Sequence, residues 1–257
     1  MSAHLIGVTG LPGDGKSFFA RSARALGKTA VATPDPKELS FYGAEATLFC
    51  DLDWRPHLSE WKADALTRLL AWVDARTRDD TRYLVIDPFS EVSDLAFHEV
   101  LKVHGTNDPR DIEYGRAYTG HDQQIKALMT ELRRAVVRGK TVICTFHAKM
   151  KELEGAGDAK KKKAMSGELE WTFDEQMLPD MNSSIRQKIH SAFDLWLYTK
   201  PSGFGPGKRY FLTAVSDAVR PAKHSVTFKA GATPASLPNT VKGILEALDE
   251  PAVAAAV

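Results

Sequence analysis

Residues 4–26 read HLIGVTGLPGDGKSFFARSARAL, and their pattern predicts the first structural elements of the chain. A short apolar run leads into a glycine-rich segment, residues 10–17. In the segment that follows, Phe19, Ala23 and Leu26 recur at the spacing of one helical face. The order along the chain is therefore strand, glycine loop and helix.

The glycine-rich segment fits the pattern G-x-x-x-x-G-K-[ST] of a phosphate-binding loop. In such a loop the glycines let backbone N–H groups turn inward around a phosphate, and Lys16 supplies a charge for the β and γ phosphates. The hydroxyl of Ser17 is suited to binding Mg²⁺. The pattern therefore predicts that ATP and Mg²⁺ bind here. The predicted cofactor-binding residues are Gly10, Pro12, Gly13, Asp14, Gly15, Lys16, Ser17 and Phe18.

Strands and helices alternate along the next part of the chain. Short apolar runs predict strands, and apolar residues at helical spacing predict two long helices. Such alternation is typical of an α/β fold with a mainly parallel sheet and helices on both faces. The predicted strands are residues 28–33, 46–52, 83–87 and 141–146, and the predicted helices are residues 56–78 and 122–138.

The chain changes character after Phe146. Residues 148–184 are polar, rich in Gly, Lys, Glu and Asp, and are predicted to form a mobile loop. Two further apolar runs joined by a turn-rich connection predict antiparallel C-terminal strands, and a last helix follows. The strands are residues 193–198 and 209–215, and the helix is residues 239–248. We predict a single domain, residues 1–248, and a flexible tail, residues 249–257.

The composition limits the classes of partner. The chain has 257 residues, with 34 Lys plus Arg against 33 Asp plus Glu and a net charge of +1. Any nucleic-acid surface therefore has to be a local basic patch. Cys50 and Cys144 lie in apolar or aromatic runs, as is typical of buried thiols in a reducing compartment. No window approaches about eighteen uninterrupted apolar residues, so we expect no membrane contact and a cytoplasmic location.

An apolar strand ends in a carboxylate at Asp87, within the sequence LVID at residues 84–87. Open α/β sheets bind ligands at the carboxyl ends of their strands, so Asp87 is predicted to hold Mg²⁺ together with Ser17. Pro88 follows instead of Glu. The carboxylate that activates the attacking water therefore has to come from a neighbouring strand.

Two carboxylates, Asp53 and Glu91, are candidates for activating water. Asp51 and Asp53 end the strand predicted at residues 46–52, and strand alternation places them on the same side. We favour Asp53 as the water-activating residue, with Asp51 as its support, and keep Glu91 as the fallback. The alternative, that Asp51 and Asp53 are only solvated side chains at a strand end, stays open.

His147 follows the strand predicted at residues 141–146. A polar residue there can contact the γ-phosphate and report its presence to the following loop. The alternative is a half-exposed side chain that only ends the strand, and the sequence leaves both open. The predicted catalytic residues are Lys16, Asp53, Asp87 and His147.

A lysine-rich run in the predicted loop is the candidate DNA surface. Lysines in a flexible loop can follow a nucleic-acid backbone. Trp171 and Phe173 can stack on bases or simply anchor the loop by packing. The alternative is a solvated run, because acidic residues are interspersed with the lysines. The predicted DNA-binding residues are Lys149, Lys160, Lys161, Lys162, Lys163, Arg186 and Lys188.

This arrangement resembles the RecA-like P-loop ATPases, and most closely the phage-encoded single-domain RecA-like recombinases and single-strand annealing ATPases. The resemblance implies a RecA-like ATPase core, ATP hydrolysis and binding of single-stranded DNA. In that family the strand end that matches Asp53 commonly offers Glu as the catalytic carboxylate. The residues that carry the resemblance are 10–17, FCDLD at 49–53, LVID at 84–87, TFHAK at 145–149 and FDLWL at 193–197.

The resemblance also implies partners. It implies head-to-tail self-association into a ring or filament, in which Lys223, Arg220 or Arg209 reaches the phosphate of a neighbour. It assigns DNA-facing loops to residues 101–121 and 148–184. A single-strand DNA-binding protein is a further expected partner, and the location is the host cytoplasm if the chain is phage-encoded.

These observations favour an ATP- and Mg²⁺-dependent recombinase that binds single-stranded DNA and promotes annealing or strand exchange. Its ATPase is expected to be stimulated by DNA. Another P-loop DNA motor, such as a helicase, a helicase loader or a packaging ATPase, would share Lys16, Ser17 and Asp87. A small-molecule kinase is the third hypothesis, which the lack of an arginine-bearing lid pattern disfavours.

Overall fold

The computed structural model describes residues 2–49, 62–113, 115–152, 175–181, 183–202, 209–216 and 222–248. The strands in these ranges are β1 Leu5–Gly10, β2 Thr29–Thr33, β3 Ala46–Leu48, β4 Tyr83–Ile86, β5 Thr141–Glu152, β6 Glu175–Pro179, β7 Leu195–Ser202, β8 Arg209–Thr213, β9 Lys223–His224 and β10 Leu237–Pro238. The helices are α1 Lys16–Arg21, α2 Pro36–Tyr42, α3 Ala65–Arg78, α4 Phe89–Val103, α5 Arg116–Val137, α6 Ser183–Ala192 and α7 Val241–Ala247.

One sheet runs through the domain in the order β10, β8, β7, β1, β5, β4, β2 and β3. From β7 to β3 every neighbouring pair is parallel, whereas β8 and β10 add to the sheet in antiparallel fashion. This confirms the predicted fold class, a mainly parallel α/β sheet with antiparallel C-terminal strands. β5 lies between β1 and β4, with Gly10 opposite His147 in the register. The strand ends that carry the glycine loop, His147 and Asp87 are therefore neighbours.

Helices cover both faces of the sheet, and each face has its own hydrophobic core. Every residue of β1, β2 and β4 is buried, as expected for strands covered on both sides. On one face Leu69 of α3, Leu128 of α5 and Ile185 of α6 pack together with the sheet. On the other face Phe19 of α1 and Ile244 of α7 belong to the second core. The predicted placement of helices on both faces is confirmed.

The structure corrects the prediction of one loop over residues 148–184. β5 continues past its pairing with β1 and forms an antiparallel hairpin arm with β6. α6 begins at Ser183, still inside the predicted loop. The arm extends beyond the parallel sheet, so its strand residues need not be apolar on both faces. Its polar sequence therefore resembles that of a loop. Residues 153–174, which include the lysine run, lie outside the described residues.

Residues 101–121, assigned to a DNA-facing loop, include the end of one helix and the start of another. α4 covers the start of this segment and α5 covers its end, so that only residues 104–115 connect the two helices. Leu101, Ala117 and His121 are buried, each at 2% exposure or less. These side chains belong to the packed interior, which excludes them from a solvent-facing DNA loop.

Some predicted boundaries concern residues that are not described. The helix expected at residues 56–78 corresponds to α3, and residues 50–61, with Cys50 among them, lie outside the described residues. Cys144 is a buried free thiol, as predicted, and burial raises its pKa.

None of the helices in the described ranges has the length and apolar character needed to cross a bilayer.

Candidate nucleotide-binding site

The glycine loop, residues 10–17, joins β1 to α1 at the carboxyl edge of the sheet. A Cβ atom at Gly10 would lie 2.0 Å from Thr199 Oγ1 on the neighbouring strand β7, so a side chain here would force the strands apart. Gly13 and Gly15 have φ angles of 79° and 80°. This left-handed conformation costs other residues about 1–2 kcal/mol. The glycines are therefore required by the shape of the loop.

Asp14 holds the loop in this shape from the inside. It is 4% exposed, and its Oδ2 accepts hydrogen bonds of 3.1 Å from the Leu11 N–H and 3.1 Å from the Thr199 hydroxyl. The Asp14 N–H in turn donates to the Leu11 carbonyl oxygen at 3.1 Å. The carboxylate of this predicted cofactor-binding residue is thus used within the loop, and its backbone forms part of the predicted phosphate cradle.

Lys16 carries the positive charge at the centre of the loop. It is 6% exposed, and its Nζ donates a hydrogen bond of 2.9 Å to the carbonyl oxygen of Leu11. Burial lowers the pKa of Lys16, and the charges of Asp87 and Asp14 oppose this shift. The ammonium therefore has a neutral partner in the hydrogen bond, which a phosphate would replace with a charged one. These residues fit a nucleotide phosphate.

Asp87 follows β4 and is held from two sides. It is 2% exposed; the Tyr42 hydroxyl donates to its Oδ2 at 2.5 Å, and the Thr145 hydroxyl donates to its Oδ1. The Tyr42 oxygen also lies 3.3 Å from the carbonyl oxygen of Ser17. The structure therefore connects Ser17 and Asp87, the two predicted Mg²⁺ ligands, through a single tyrosine.

The donor set suits a cation that keeps waters and phosphate oxygens in its shell. A serine hydroxyl and one carboxylate are few ligands, which is typical of Mg²⁺ bound together with a nucleotide. Within the described ranges, no group of three or more His, Cys, Asp or Glu side chains is arranged to hold a metal by itself. Ser17 and Asp87 would therefore hold Mg²⁺ jointly with the phosphates.

Glu38 is a site carboxylate that the sequence analysis did not consider. It lies in the first turn of α2, whose N-cap is Asp35, just after the carboxyl end of β2. Burial and the charge of Asp87 raise the pKa of Glu38 to about 7. A carboxyl group that titrates near neutral pH is suited to accepting a proton from water. The signal in the sequence was a strand followed at once by a capped helix with Pro36 in its first turn.

Glu91 and His147 lie beside each other at the same edge. Glu91 is 6% exposed in the first turn of α4, and its Oε1 is 3.7 Å from His147 Nε2. The His147 N–H donates to Ser90 Oγ at 3.0 Å, which ties the end of the parallel part of β5 to α4. The His147 side chain is 42% exposed and the charges of both His147 and Glu91 influence Glu38. Two of the predicted residues thus lie close to the phosphate-binding loop.

The comparison of the sequence with known families agrees with this geometry. A family model, AAA_24, described as an AAA domain, matches residues 5–226. The chain belongs to this AAA family. It is thus an AAA-type P-loop NTPase domain, and the matched range includes the glycine loop, Glu38, Asp87 and His147. No curated protein matches the chain in sequence.

Two solved structures resemble the AAA domain over most of its length. The flagellar accessory protein FlaH from Methanocaldococcus jannaschii is 10% identical, over 97% of this chain and 92% of that chain, with a TM-score of 0.39. A KaiC-like protein from Pyrococcus horikoshii OT3 is 12% identical, over 82% of this chain and 77% of that chain, with a TM-score of 0.39. Similarity at this level carries no statement about function.

The described DNA-binding candidates all have partners inside the AAA domain. The contacts are Lys149 Nζ to Asp180 Oδ1 at 2.6 Å, Lys188 Nζ to Asp122 Oδ1 at 2.9 Å, and Arg186 to the Met181 carbonyl oxygen at 3.1 Å. A lysine that is paired with a carboxylate gives up that pair when it contacts a nucleic-acid phosphate, and for half-exposed side chains such a pair is worth about 1 kcal/mol or less. Lys160, Lys161, Lys162 and Lys163 lie outside the described residues, as do Asp51, Asp53, Trp171, Phe173 and Arg220.

The basic residues considered for contact with a neighbouring copy differ in their surroundings. Lys223 Nζ donates to the carbonyl oxygen of Ser191 at 2.7 Å and so caps the end of α6. Arg209 is exposed at the start of β8. Of these two, Arg209 is the one left accessible by the fold.

The C-terminal segment contacts the phosphate-binding loop, which the sequence did not predict. The side-chain amide of Asn239 donates to the carbonyl oxygen of Gly15 at 3.2 Å, and the Val241 N–H donates to Ser22 Oγ at 2.8 Å. The C-terminal segment therefore supports the loop and the helix after it. No local sequence pattern indicates this, because Asn239 and Gly15 are 224 positions apart. Phe18, by contrast, is 61% exposed beside the loop.

Proposed function

We propose that this AAA domain is an ATPase that requires Mg²⁺. The observation that supports the proposal is the convergence of Lys16, Ser17 and Asp87, with Tyr42 joining the last two. Bound Mg²⁺ would neutralise charge on the phosphates and polarise them. Lys16 would exchange the Leu11 carbonyl for a phosphate oxygen, and the backbone of the loop would orient the triphosphate.

We further propose Glu38 as the residue that takes the proton from the attacking water. Its carboxyl group is electrostatically coupled to Lys16 and Asp87, and its pKa of about 7 leaves a large fraction ionised at neutral pH. Asp53 remains a candidate from the sequence, and Glu91 remains the fallback beside His147. Three carboxylates therefore compete for the role, and they are separable by substitution.

The test is ATP hydrolysis and ATP binding measured on matched variants. Glu38→Gln, Asp53→Asn and Glu91→Gln each replace a carboxylate by an amide of the same shape, and Lys16→Ala is the comparison variant with weakened phosphate binding. The water-activating residue is the one whose variant still binds ATP but loses turnover by about a hundredfold or more. Normal turnover in Glu38→Gln would remove that assignment. Absence of nucleotide binding by the wild-type chain would contradict the ATPase proposal itself.

The finer function that we propose is an ATP-dependent, single-stranded DNA-binding recombinase of phage type, active in annealing or strand exchange in the cytoplasm. The sequence resemblance to RecA-like recombinases supports this proposal. The lysines at 160–163 are central to it, because Lys149, Arg186 and Lys188 are already paired within the domain. Self-association into a ring or filament, with Arg209 facing a neighbour, belongs to the same proposal.

The ATPase assay also separates the competing functions. Hydrolysis is compared at low salt without DNA, with single strands, with duplex DNA and with a panel of nucleosides. Stimulation by single strands is expected for the recombinase, whereas strand displacement or translocation on duplex DNA would favour a helicase or packaging motor. Phosphorylation of a nucleoside without a response to DNA would favour a kinase.

A further inference from the structure

We infer that Tyr42 is a positioning residue of the nucleotide site, which aims the Asp87 carboxylate at the Mg²⁺ position and couples it to the phosphate-binding loop. The inference rests on the proposed ATPase function and adds a residue that comes from α2, outside the phosphate-binding motif. Tyr42 is the last residue of α2 and is 0% exposed.

Hydrogen bonds from two side chains hold the Asp87 carboxylate. Tyr42 donates to Oδ2 and Thr145 donates to Oδ1, so each oxygen has one donor from a different structural element. A carboxylate oxygen has two lone pairs, so one acceptor position on each oxygen stays available for water or a metal. With both hydrogen bonds in place the carboxylate cannot rotate freely. A preset ligand orientation reduces the cost of binding the cation.

Tyr42 also lies beside the phosphate-binding loop. The Tyr42 oxygen lies 3.3 Å from the carbonyl oxygen of Ser17, the residue whose hydroxyl is the other predicted Mg²⁺ ligand. α2 is also fastened to α1 by Arg21, whose guanidinium lies 4.8 Å from the centre of the Phe41 ring. The end of α2 therefore contacts the Asp87 carboxylate and the main chain of Ser17, the two residues that would hold the metal.

Glu38 lies four residues before Tyr42 on the same helix. Residues four apart lie on one face of a helix, so α2 presents Glu38 and Tyr42 to the same site. A structural role alone would need only some partner for a buried hydroxyl. Here the partner is the predicted metal ligand. α2 therefore carries both Glu38, the proposed base, and Tyr42, which supports Asp87.

The experiment is a titration of Mg²⁺ into protein and a fluorescent ATP analogue, with binding also measured in EDTA. Tyr42→Phe removes one hydroxyl and leaves the ring in the core. Tyr83→Phe is the matched control, because Tyr83 is 1% exposed on the strand that leads to Asp87 and lies at the opposite end of that strand. Melting temperatures without ligand check that each variant is folded.

The expected result is that Tyr42→Phe raises the Mg²⁺ midpoint by roughly tenfold or more, as for loss of a hydrogen bond to a charged group. Its affinity in EDTA should match that of the wild type, and Tyr83→Phe should change neither value. An unchanged midpoint in Tyr42→Phe would overturn the inference. Equal weakening with and without Mg²⁺ would also overturn it, because the tyrosine would then act on the loop alone.

A second variant covers the case in which Tyr42→Phe does not fold. Thr145→Val removes the donor on the other oxygen of Asp87, and it must then raise the Mg²⁺ midpoint in the same way. A normal midpoint in Thr145→Val would show that the orientation of Asp87 does not matter and would overturn the inference. If the wild type binds no nucleotide in either condition, the proposed ATPase function fails and the inference fails with it.

Discussion

The Nζ atom of Lys16 and the carbonyl oxygen of Leu11 are 2.9 Å apart, so the phosphate-binding loop is closed by its own lysine. The ammonium is buried and donates to a neutral carbonyl oxygen, while Asp87, Asp14 and Glu38 lie near enough to influence its pKa. A phosphate oxygen would replace one neutral acceptor with a charged one. The hydrogen bond to Leu11 therefore holds the lysine in the loop, and a phosphate oxygen can replace the carbonyl oxygen as its acceptor.

Lys16→Ala should lower the affinity for ATP by about ten- to a hundredfold, the loss expected for a hydrogen bond between two charged groups. Calorimetric titration with ATP in the presence of Mg²⁺ measures it. The melting temperature without ligand is the control for folding. An affinity equal to that of the wild type would mean that Lys16 stays on Leu11 when the nucleotide is bound.

The pKa of about 7 for Glu38 predicts how turnover depends on pH. A general base must be ionised, so kcat/KM for ATP should rise with pH, reach half its maximum near pH 7 and level off above about pH 8. Glu38→Gln should lose this limb of the profile together with most of the activity. A profile that keeps its midpoint in Glu38→Gln would assign the ionisation to another group.

The same shift predicts a change in stability. The pKa of Glu38 is raised in the folded state, so its neutral form is favoured there; the stability it contributes below about pH 4.5 is lost as pH rises through about 7. Because Glu38 is only partly buried, we expect a difference of about 1–2 kcal/mol between wild type and Glu38→Gln across this window. Urea unfolding at pH 4.5 and pH 8 measures it. Parallel pH profiles for both proteins would contradict the assigned pKa.

The sequence predicted the loop, the parallel sheet and the position of Asp87, because each depends on a local pattern of glycines or apolar residues. Glu38 and Tyr42 were not predicted, because α2 is a short helix and its role depends on contact with Asp87 at the end of β4. Only the folded chain brings α2 and this strand end together. The contact of Asn239 with Gly15 likewise depends on strand order, which no local pattern records.

Composition was the weaker guide in the polar part of the chain. The antiparallel arm of β5 and β6 was predicted as a loop, because charged residues in a strand outside the main sheet resemble loop residues. In the same way, a count of lysines does not reveal that Lys149 and Lys188 each face a carboxylate. The pairing of charges needs the three-dimensional structure.

His121 predicts a loss of stability in acid. It is 2% exposed and bound to Ser93 Oγ at 3.1 Å, and burial lowers its pKa to about 4. The folded state therefore favours the neutral ring, and the stability present above about pH 6.5 is lost as pH falls toward 4. His121→Gln, which does not titrate, should lack about 2–3 kcal/mol of this dependence. Urea unfolding at pH 7.5 and pH 4.5 on both proteins measures it, and equal slopes would contradict the prediction.

Gly10→Ala should destabilise the fold, because its Cβ would lie 2.0 Å from Thr199 Oγ1. Overpacking of this kind costs about 3 kcal/mol. Thr199→Ala removes the clashing oxygen, although it also removes a hydrogen bond to Asp14. The double variant should therefore be more stable than the sum of the two single effects predicts. Urea unfolding of the wild type, the two single variants and the double variant measures this coupling. If the changes in the free energy of unfolding simply add, β1 and β7 can move apart at little cost.

In the proposed recombinase, the lysine run at residues 160–163 is expected to bind the phosphates of single-stranded DNA. Replacing Lys160, Lys161, Lys162 and Lys163 by Ala should weaken binding and reduce the slope of log affinity against log salt by up to about 3. The reason is that fewer phosphates are neutralised, so fewer counterions are released from the DNA on binding. Lys188→Ala is the matched control: its ammonium is paired with Asp122 at 2.9 Å, so the slope should stay unchanged. Fluorescence anisotropy of a labelled oligonucleotide over a range of salt concentrations measures both. An unchanged slope in the fourfold variant would exclude the lysine run from the DNA site, and a reduced slope in Lys188→Ala would move that site to the α5 and α6 face.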